Sequence, residues 1–245
     1  MFAACATASA EPTHMNMPEG SSDVYLSLAT GYGPRSEGGA RREMFVTPLI
    51  SAQWSNGVFM DMNSLGVHLS DRVNMQYGLL ATPTISRGAT ISGSGRGKRK
   101  FTPEVGGFFN YSVAHGIGLS TGLMYGGSSD RRGLSMNLGG HLRVPLAAHH
   151  SVGLETRIRL ANRSALQADF GVTAEQAGAG DIGAHEVSGG VRDVAIAAHW
   201  SWSLTHKYTL RTSVSWQRLQ GSAAASPRTE QAAGVQATTI LTYQF

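Results

Sequence analysis

The sequence predicts an all-β chain closed into a transmembrane antiparallel up-and-down β-barrel of about 12 strands. Three observations predict it. Segment after segment alternates apolar and polar residues with period two, a spacing that a helix of period 3.6 would scramble. Charged residues make up 15 % of the 245 positions, against roughly 25 % in soluble domains. Yet no run of about 18 apolar residues occurs that would make a helical span. Third, the last segment, Val235–Phe245, is a strand that stops on an aromatic residue. Val235, Ala237, Leu241, Tyr243 and Phe245 share one face, and Gln236, Thr238, Thr242 and Gln244 share the other, with Ile240 the exception. This ending resembles the terminal strand of bacterial outer-membrane barrels, and the resemblance implies Tyr243 and Phe245 as an insertion signal for the barrel assembly machinery.

The elements follow in order. Val24–Gly33, Met44–Trp54, Val73–Ile85, Thr102–Val113 and Ile117–Tyr125 carry the pattern in weaker form. Gly133–Leu146 carries it cleanly, with Leu134, Met136, Leu138, Leu142, Val144 and Leu146 on one face. In the next segment Val152, Leu154, Thr156, Ile158 and Leu160 point outward, with Gly153, Glu155, Arg157 and Arg159 inward. Val194–Leu204 and Tyr208–Gln217 repeat the alternation, ending in the outward residues Trp202 and Trp216 among others. Gly57–Leu69 reads either as one strand or as a hairpin folded at Asn63-Ser64. Read as one strand, it gives 11 strands and turns the long link 87–101 to the periplasm. Read as a hairpin, it gives 12 strands, short periplasmic links and long outer links at 34–43, 87–101, 126–132, 163–190 and 220–233. Twelve is the better count. It also places Trp54, Tyr208 and Tyr243 at periplasmic strand ends, where amphipathic rings favour the membrane interface.

Before the barrel, residues 1–10 read as the remnant of a secretory signal, with Ala8-Ser9-Ala10 as the cleavage site. Residues 11–22 form a polar periplasmic tail, and 23–245 form the barrel. The sole cysteine, Cys5, falls in the signal, so no disulfide or thiol chemistry is expected.

The net charge of +4 is modest. Its one dense cluster, Arg96, Lys98, Arg99 and Lys100, lies in a predicted outer loop and lacks an aromatic platform for nucleic acid. A contact with lipopolysaccharide phosphates is the alternative to a merely solvated loop. Inside the barrel, His141, Arg143, Glu155, Arg157, Arg159 and Arg211 form a lumen charge cluster. Such charges either cross the bore as a structural ion-pair network or line an anion-favouring path. Asp61, His68, Glu104, Asp193 and His199 also point inward. His141 with Glu155, and Asp193 with His199, are the pairs within conceivable reach, but no G-x-S-x-G elbow accompanies them. His149-His150 reads as a solvated turn pair rather than a metal site. No catalytic residue, metal or cofactor is expected.

Asp23–Arg35, Pro48–Trp54, Asn56–Phe59, Gln76–Gly78, Phe170–Ala177, Val191–Val194 and Tyr243–Phe245 are similar, in this order, to the MipA/OmpV family of outer-membrane proteins. The Phe170-Gly-Val-Thr block is the most specific piece, and the likeness spans residues 23 to 245. What the resemblance implies is a non-enzymatic outer-membrane barrel. It would act as an envelope scaffold joining a lytic murein transglycosylase to a penicillin-binding murein synthase. Other members are treated as porin-like or adhesin-like, so a small-solute channel and a surface adhesin stand as alternatives. The glycine-rich basic loop 91–100 departs from the family.

Overall fold

The computed structural model describes residues 17–62, 64–86, 100–128, 131–178 and 183–245. Twelve strands close into one antiparallel barrel, each bonded to its neighbour in sequence, with the first bonded to the last. They are β1 (Ser22–Pro34), β2 (Arg42–Trp54), β3 (Val58–Asp61), β4 (Ser64–His68), β5 (Met75–Ser86) and β6 (Lys100–Ala114). The second half comprises β7 (Ile117–Ser128), β8 (Arg131–Ala147), β9 (His150–Ala161), β10 (Gly190–Ser203), β11 (Tyr208–Leu219) and β12 (Ala233–Gln244). Three short helices lie between strands: α1 (Arg163–Phe170), α2 (Ala174–Gly178) and α3 (Gly221–Ala224). Closure leaves no strand edge, which is the condition for crossing a bilayer with strands.

The seam is built by the terminal strand. Tyr25 pairs with Gln244 and Tyr32 with Ala237, and the Phe245 amide donates to the Val24 carbonyl. The ambiguous segment is a hairpin, with β3 and β4 paired from Val58↔Val67 to Asp61↔Ser64. Its tight outer turn uses Met62 at φ +49°.

The faces sort by solvent. Leu28, Val46, Leu79, Leu119, Ile158 and Val214 all stand exposed on the outside, as expected of a surface that meets lipid. Aromatics ring both ends of this band. Trp54, Trp202 and Tyr208 are exposed at the periplasmic end, and Tyr32, Tyr125 and Trp216 at the outer end. The periplasmic rings also pack on each other: Tyr208 lies 4.9 Å from Tyr243, and Tyr243 lies 4.9 Å from Phe245. His150 departs from the expected solvated turn. It opens β9 on the outward face and stacks on Trp200 and Trp202 at 5.6 and 5.5 Å, since a strand beginning at 150 turns its ring toward those indoles.

Two outer links carry regular structure. The link 126–132 is mostly strand, because β7 and β8 pair out to Ser128↔Arg131. The long outer link 163–190 carries two helices, α1 and α2. Asn162 caps α1 by accepting the Ala165 amide at 3.0 Å, and Leu166 and Phe170, one turn apart, are buried on one side. Thr173 and Gln176 form a reciprocal capping box at the start of α2. The block Phe170–Ala177 is thus a helix end, a turn and a helix start.

Candidate functional site: the capped mouth and the charged lumen

Among the described residues, the large buried apolar side chains lie at the outer end: Leu166, Phe170, Val172, Val187 and Leu219. Leu166, Phe170, Val187 and Leu219 gather where α1, α3 and the end of β11 meet, with Ala161 and Ala223 filling the remaining space. Hydrogen bonds sew the loops above them together. The Ser226 hydroxyl donates to the Phe170 carbonyl at 2.6 Å. Arg228 donates to the Gln176 side chain at 3.1 Å. Glu230 and Gln231 amides both donate to the Gly38 carbonyl. The β1–β2, β9–β10 and β11–β12 loops therefore form one cap with its own small core.

Beneath the cap sits a charge network. Glu37, from the β1–β2 loop, accepts from Arg159 of β9 at 2.6 Å and also from Arg192 of β10. Since β1 and β9 are four places apart around the barrel, this contact is a chord across the bore. Asp193, fully buried, takes Arg159 at 2.7 Å, and Asp169 of α1 takes Arg192 at 3.1 Å. The Arg192 guanidinium also lies over the Phe170 ring at 5.4 Å. Burial alone would raise the Glu37 carboxyl. The charges and hydrogen bonds of Arg192 and Arg159 outweigh it and hold the group well below the usual carboxylate range.

Strict alternation would put Arg192 beside Val194 on the lipid face. A β-bulge between Val191 and Asp193 turns Arg192 inward, so consecutive residues both serve the network.

The lower lumen carries a second, separate group. Glu155 is bonded to Arg211 and lies 3.5 Å from His199 Nδ1. Arg143 donates to the Ser151 hydroxyl at 3.2 Å. His141 is the register partner of Glu155. Two glycines make room for the imidazoles: a Cβ at Gly118 would collide with the His141 ring, and one at Gly153 with the His199 ring.

The six residues grouped from sequence thus divide. Glu155 and Arg211 meet, His141 and Arg143 flank them, and Arg157 lies between the two levels on β9. Arg159 belongs to the mouth, four residues or about 13 Å beyond Glu155 at strand rise. Asp193 and His199 do not meet either. They are six residues apart on one straight strand, roughly 20 Å, and each binds a neighbour at its own level. Glu37, Asp169 and Arg192 are not among the sequence candidates for the lumen, since Glu37 sits in a loop, Asp169 on the short helix α1 and Arg192 at a bulge. Arg96, Lys98 and Arg99 lie outside the described residues, and Lys100 opens β6. Tyr243 and Phe245 lie at the periplasmic end of the seam. Among the described residues, no group of three His, Cys, Asp or Glu is placed to hold a metal ion.

A closed 12-stranded cylinder with an apolar outside, a charged inside and an aromatic girdle at each end defines a protein of the bacterial outer membrane. Residues 26–245 match the family described as MltA-interacting protein MipA, and the chain belongs to that family. Among solved structures, the NanC porin is similar with a TM-score of 0.53 at 8 % identity, over 90 % of this chain and 100 % of that one. A structure titled bacterial polysaccharide outer membrane secretin is similar with a TM-score of 0.50 at 10 % identity, over 94 % and 100 %. At these identities the likeness is one of fold alone. No curated protein matches the sequence.

Proposed function

We propose that this protein is a non-enzymatic outer-membrane scaffold for murein enzymes, with its lumen held shut from outside. The observation that carries this reading is the Glu37 chord. A carboxylate locked between two guanidiniums of the far wall, under a cap with an apolar core, favours a structural body over an open conduit. The matched family is described by an interaction with MltA, and the resemblance read from sequence implies a transglycosylase and a penicillin-binding synthase as partners. The periplasmic rim is the surface available to them. There, residues 17–22 are pinned to the β2–β3 turn, with the Gly20 amide donating to the Ser55 hydroxyl at 3.0 Å and the Ser55 amide to the Ser21 carbonyl. The turns are short, and a stable complex buries about 800 Å² per partner. The contact is therefore weak, or it draws on the tail 11–22. Crosslinking in native envelopes should recover murein hydrolases and synthases with this barrel. Recovery of neither, with folded barrel present, refutes the scaffold.

A second reading, an anion-favouring channel, is favoured by the guanidiniums of Arg143, Arg157 and Arg211 below the cap. It expects anion-selective conductance in planar bilayers, lowered by Arg157→Ala, whereas Arg159→Ala acts on the closure at the mouth. Silent bilayers containing folded protein, with and without the cap, remove it. A lipopolysaccharide contact at Arg96, Lys98, Arg99 and Lys100 remains part of the proposal. Unchanged lipopolysaccharide binding after replacing the last three with Ser would withdraw it.

A further inference from the structure

Outside the barrel, at the outer end of the apolar band, lies a recess of about 300 Å³ walled by Trp216, Ala233 and Val235, together with Arg42 and Gln231. We propose that it binds the phosphorylated, acylated glucosamine head of outer-leaflet lipopolysaccharide, with Arg42 taking the phosphate. The site is distinct from the basic loop 96–100 and from everything inside the lumen.

Position is the first argument. Trp216 and Tyr32 belong to the outer aromatic girdle, the level at which acyl chains give way to head groups. Arg42 stands at the outer end of β2, on the same lipid-facing side as Met44 and Val46, and is exposed. Its guanidinium lies over the Tyr32 ring at 5.9 Å, and its Nη2 donates to the Val235 carbonyl at 2.7 Å. That bond reaches past β1 from β2 to β12, fixing the cation at the lip of the recess. Arginine has five N–H donors in a rigid fork, so four stay available to an anion after the Val235 bond.

The walls are the second argument. Trp216, Val235 and Ala233 line the recess together with Arg42 and offer hydrocarbon suited to the first methylenes of an acyl chain. Arg218, two residues beyond Trp216 on the same face and paired with Ala233, is a second exposed cation beside the recess. Two carboxylates near this end of β2 already have partners: Glu230 accepts the Ala40 amide at 2.9 Å, and Glu43 lies 3.6 Å from Arg35. A cation beside an apolar slot at the head-group level is complementary to a ligand that is anionic at one end and acylated at the other.

The test uses the full chain, refolded in detergent and checked by heat-modifiable mobility, with bound lipid counted by native mass spectrometry. The probes are diphosphoryl lipid A, the same lipid stripped of phosphate, and inorganic phosphate. Diphosphoryl lipid A should bind at least about tenfold more tightly than the stripped lipid, and Arg42→Gln with Arg218→Gln should remove that preference. Arg42→Lys should restore part of it. Equal binding of phosphorylated and stripped lipid overturns the proposal, as does an undiminished preference in the double variant. Displacement of the lipid by millimolar inorganic phosphate also overturns it, in favour of a small-anion site. If the double variant does not fold, Arg42→Gln alone carries the same reading, and an undiminished preference in it overturns the proposal.

Discussion

The two ends of this barrel are built on different principles. At the periplasmic end, neighbouring strands join through links of a few residues. One of these is His115-Gly116, where Gly116 at φ +76° supplies the positive φ the turn needs. Rings close that rim by touching their strand neighbours, as Tyr208 and Tyr243 do. At the outer end, three loops distant in sequence converge into a cap with an apolar core and an ion network. Apart from the seam, where Phe245 meets Val24, the first end is made by strands that neighbour in sequence, and the second by loop contacts spanning 155 residues between Glu37 and Arg192 and 190 between Ala40 and Glu230. The barrel wall and the cap should therefore respond separately to substitution.

The sharpest way to separate them is Glu37→Gln, which leaves Arg159 and Arg192 facing each other without their shared anion. Breaking a partly buried pair this way costs about 3–5 kcal/mol, drawn from cap docking and not from the barrel. Hydrogen exchange at 163–178 and 221–232 should accelerate while heat-modifiable mobility stays unchanged. Exchange equal to the unaltered protein would mean the chord holds nothing. Acid should act in the same direction. The Glu37 carboxyl is depressed in the folded cap, so the unfolded cap binds more protons below about pH 4.3. Cap stability is full above that value and falls as pH drops toward the much lower folded one.

Leu166→Ala strikes the apolar half of the cap and should cost about 2–5 kcal/mol, depending on how far the site collapses. It should loosen the same exchange regions, again with the strands protected. Loss of strand protection would show that cap and wall unfold together. Val214→Arg makes the opposite cut. A cation on the lipid face near mid-membrane costs about 2–4 kcal/mol, and urea unfolding in lipid vesicles should report it as lost barrel stability with cap exchange unchanged. The smallest expected effect is Asn162→Ala. It removes the α1 cap at a cost of about 1 kcal/mol, detectable as faster exchange of the Ala165 and Leu134 amides that Asn162 accepts. Unaltered protection at both would show that the cap bond contributes nothing.

Most of the wall was legible because its physics is periodic. Residues such as Leu134, Leu138 and Leu142 on one face, and His141 and Arg143 on the other, need only a pleat to sort them. The hairpin at Asn63-Ser64 followed from counting which side each link falls on. The cap was less legible. Asn162 followed by Leu166 and Phe170 is a readable helix start with a buried side, but the stretch is eight residues long and sits among polar neighbours. The capping box Thr173–Gln176 was visible as a motif block without its meaning.

By itself, the sequence determined that alternate residues would divide between lipid and lumen, how many strands would do so, and which end would carry the short turns. These follow from side-chain period and link length, properties of neighbouring residues. The tertiary structure alone decided that Arg159 leaves Glu155 and Arg211 for Glu37, that a bulge turns Arg192 inward, and that Arg42 reaches across β1 to Val235. Each depends on strands or loops far apart in the chain being brought within a few ångströms, and barrel closure is what brings them there.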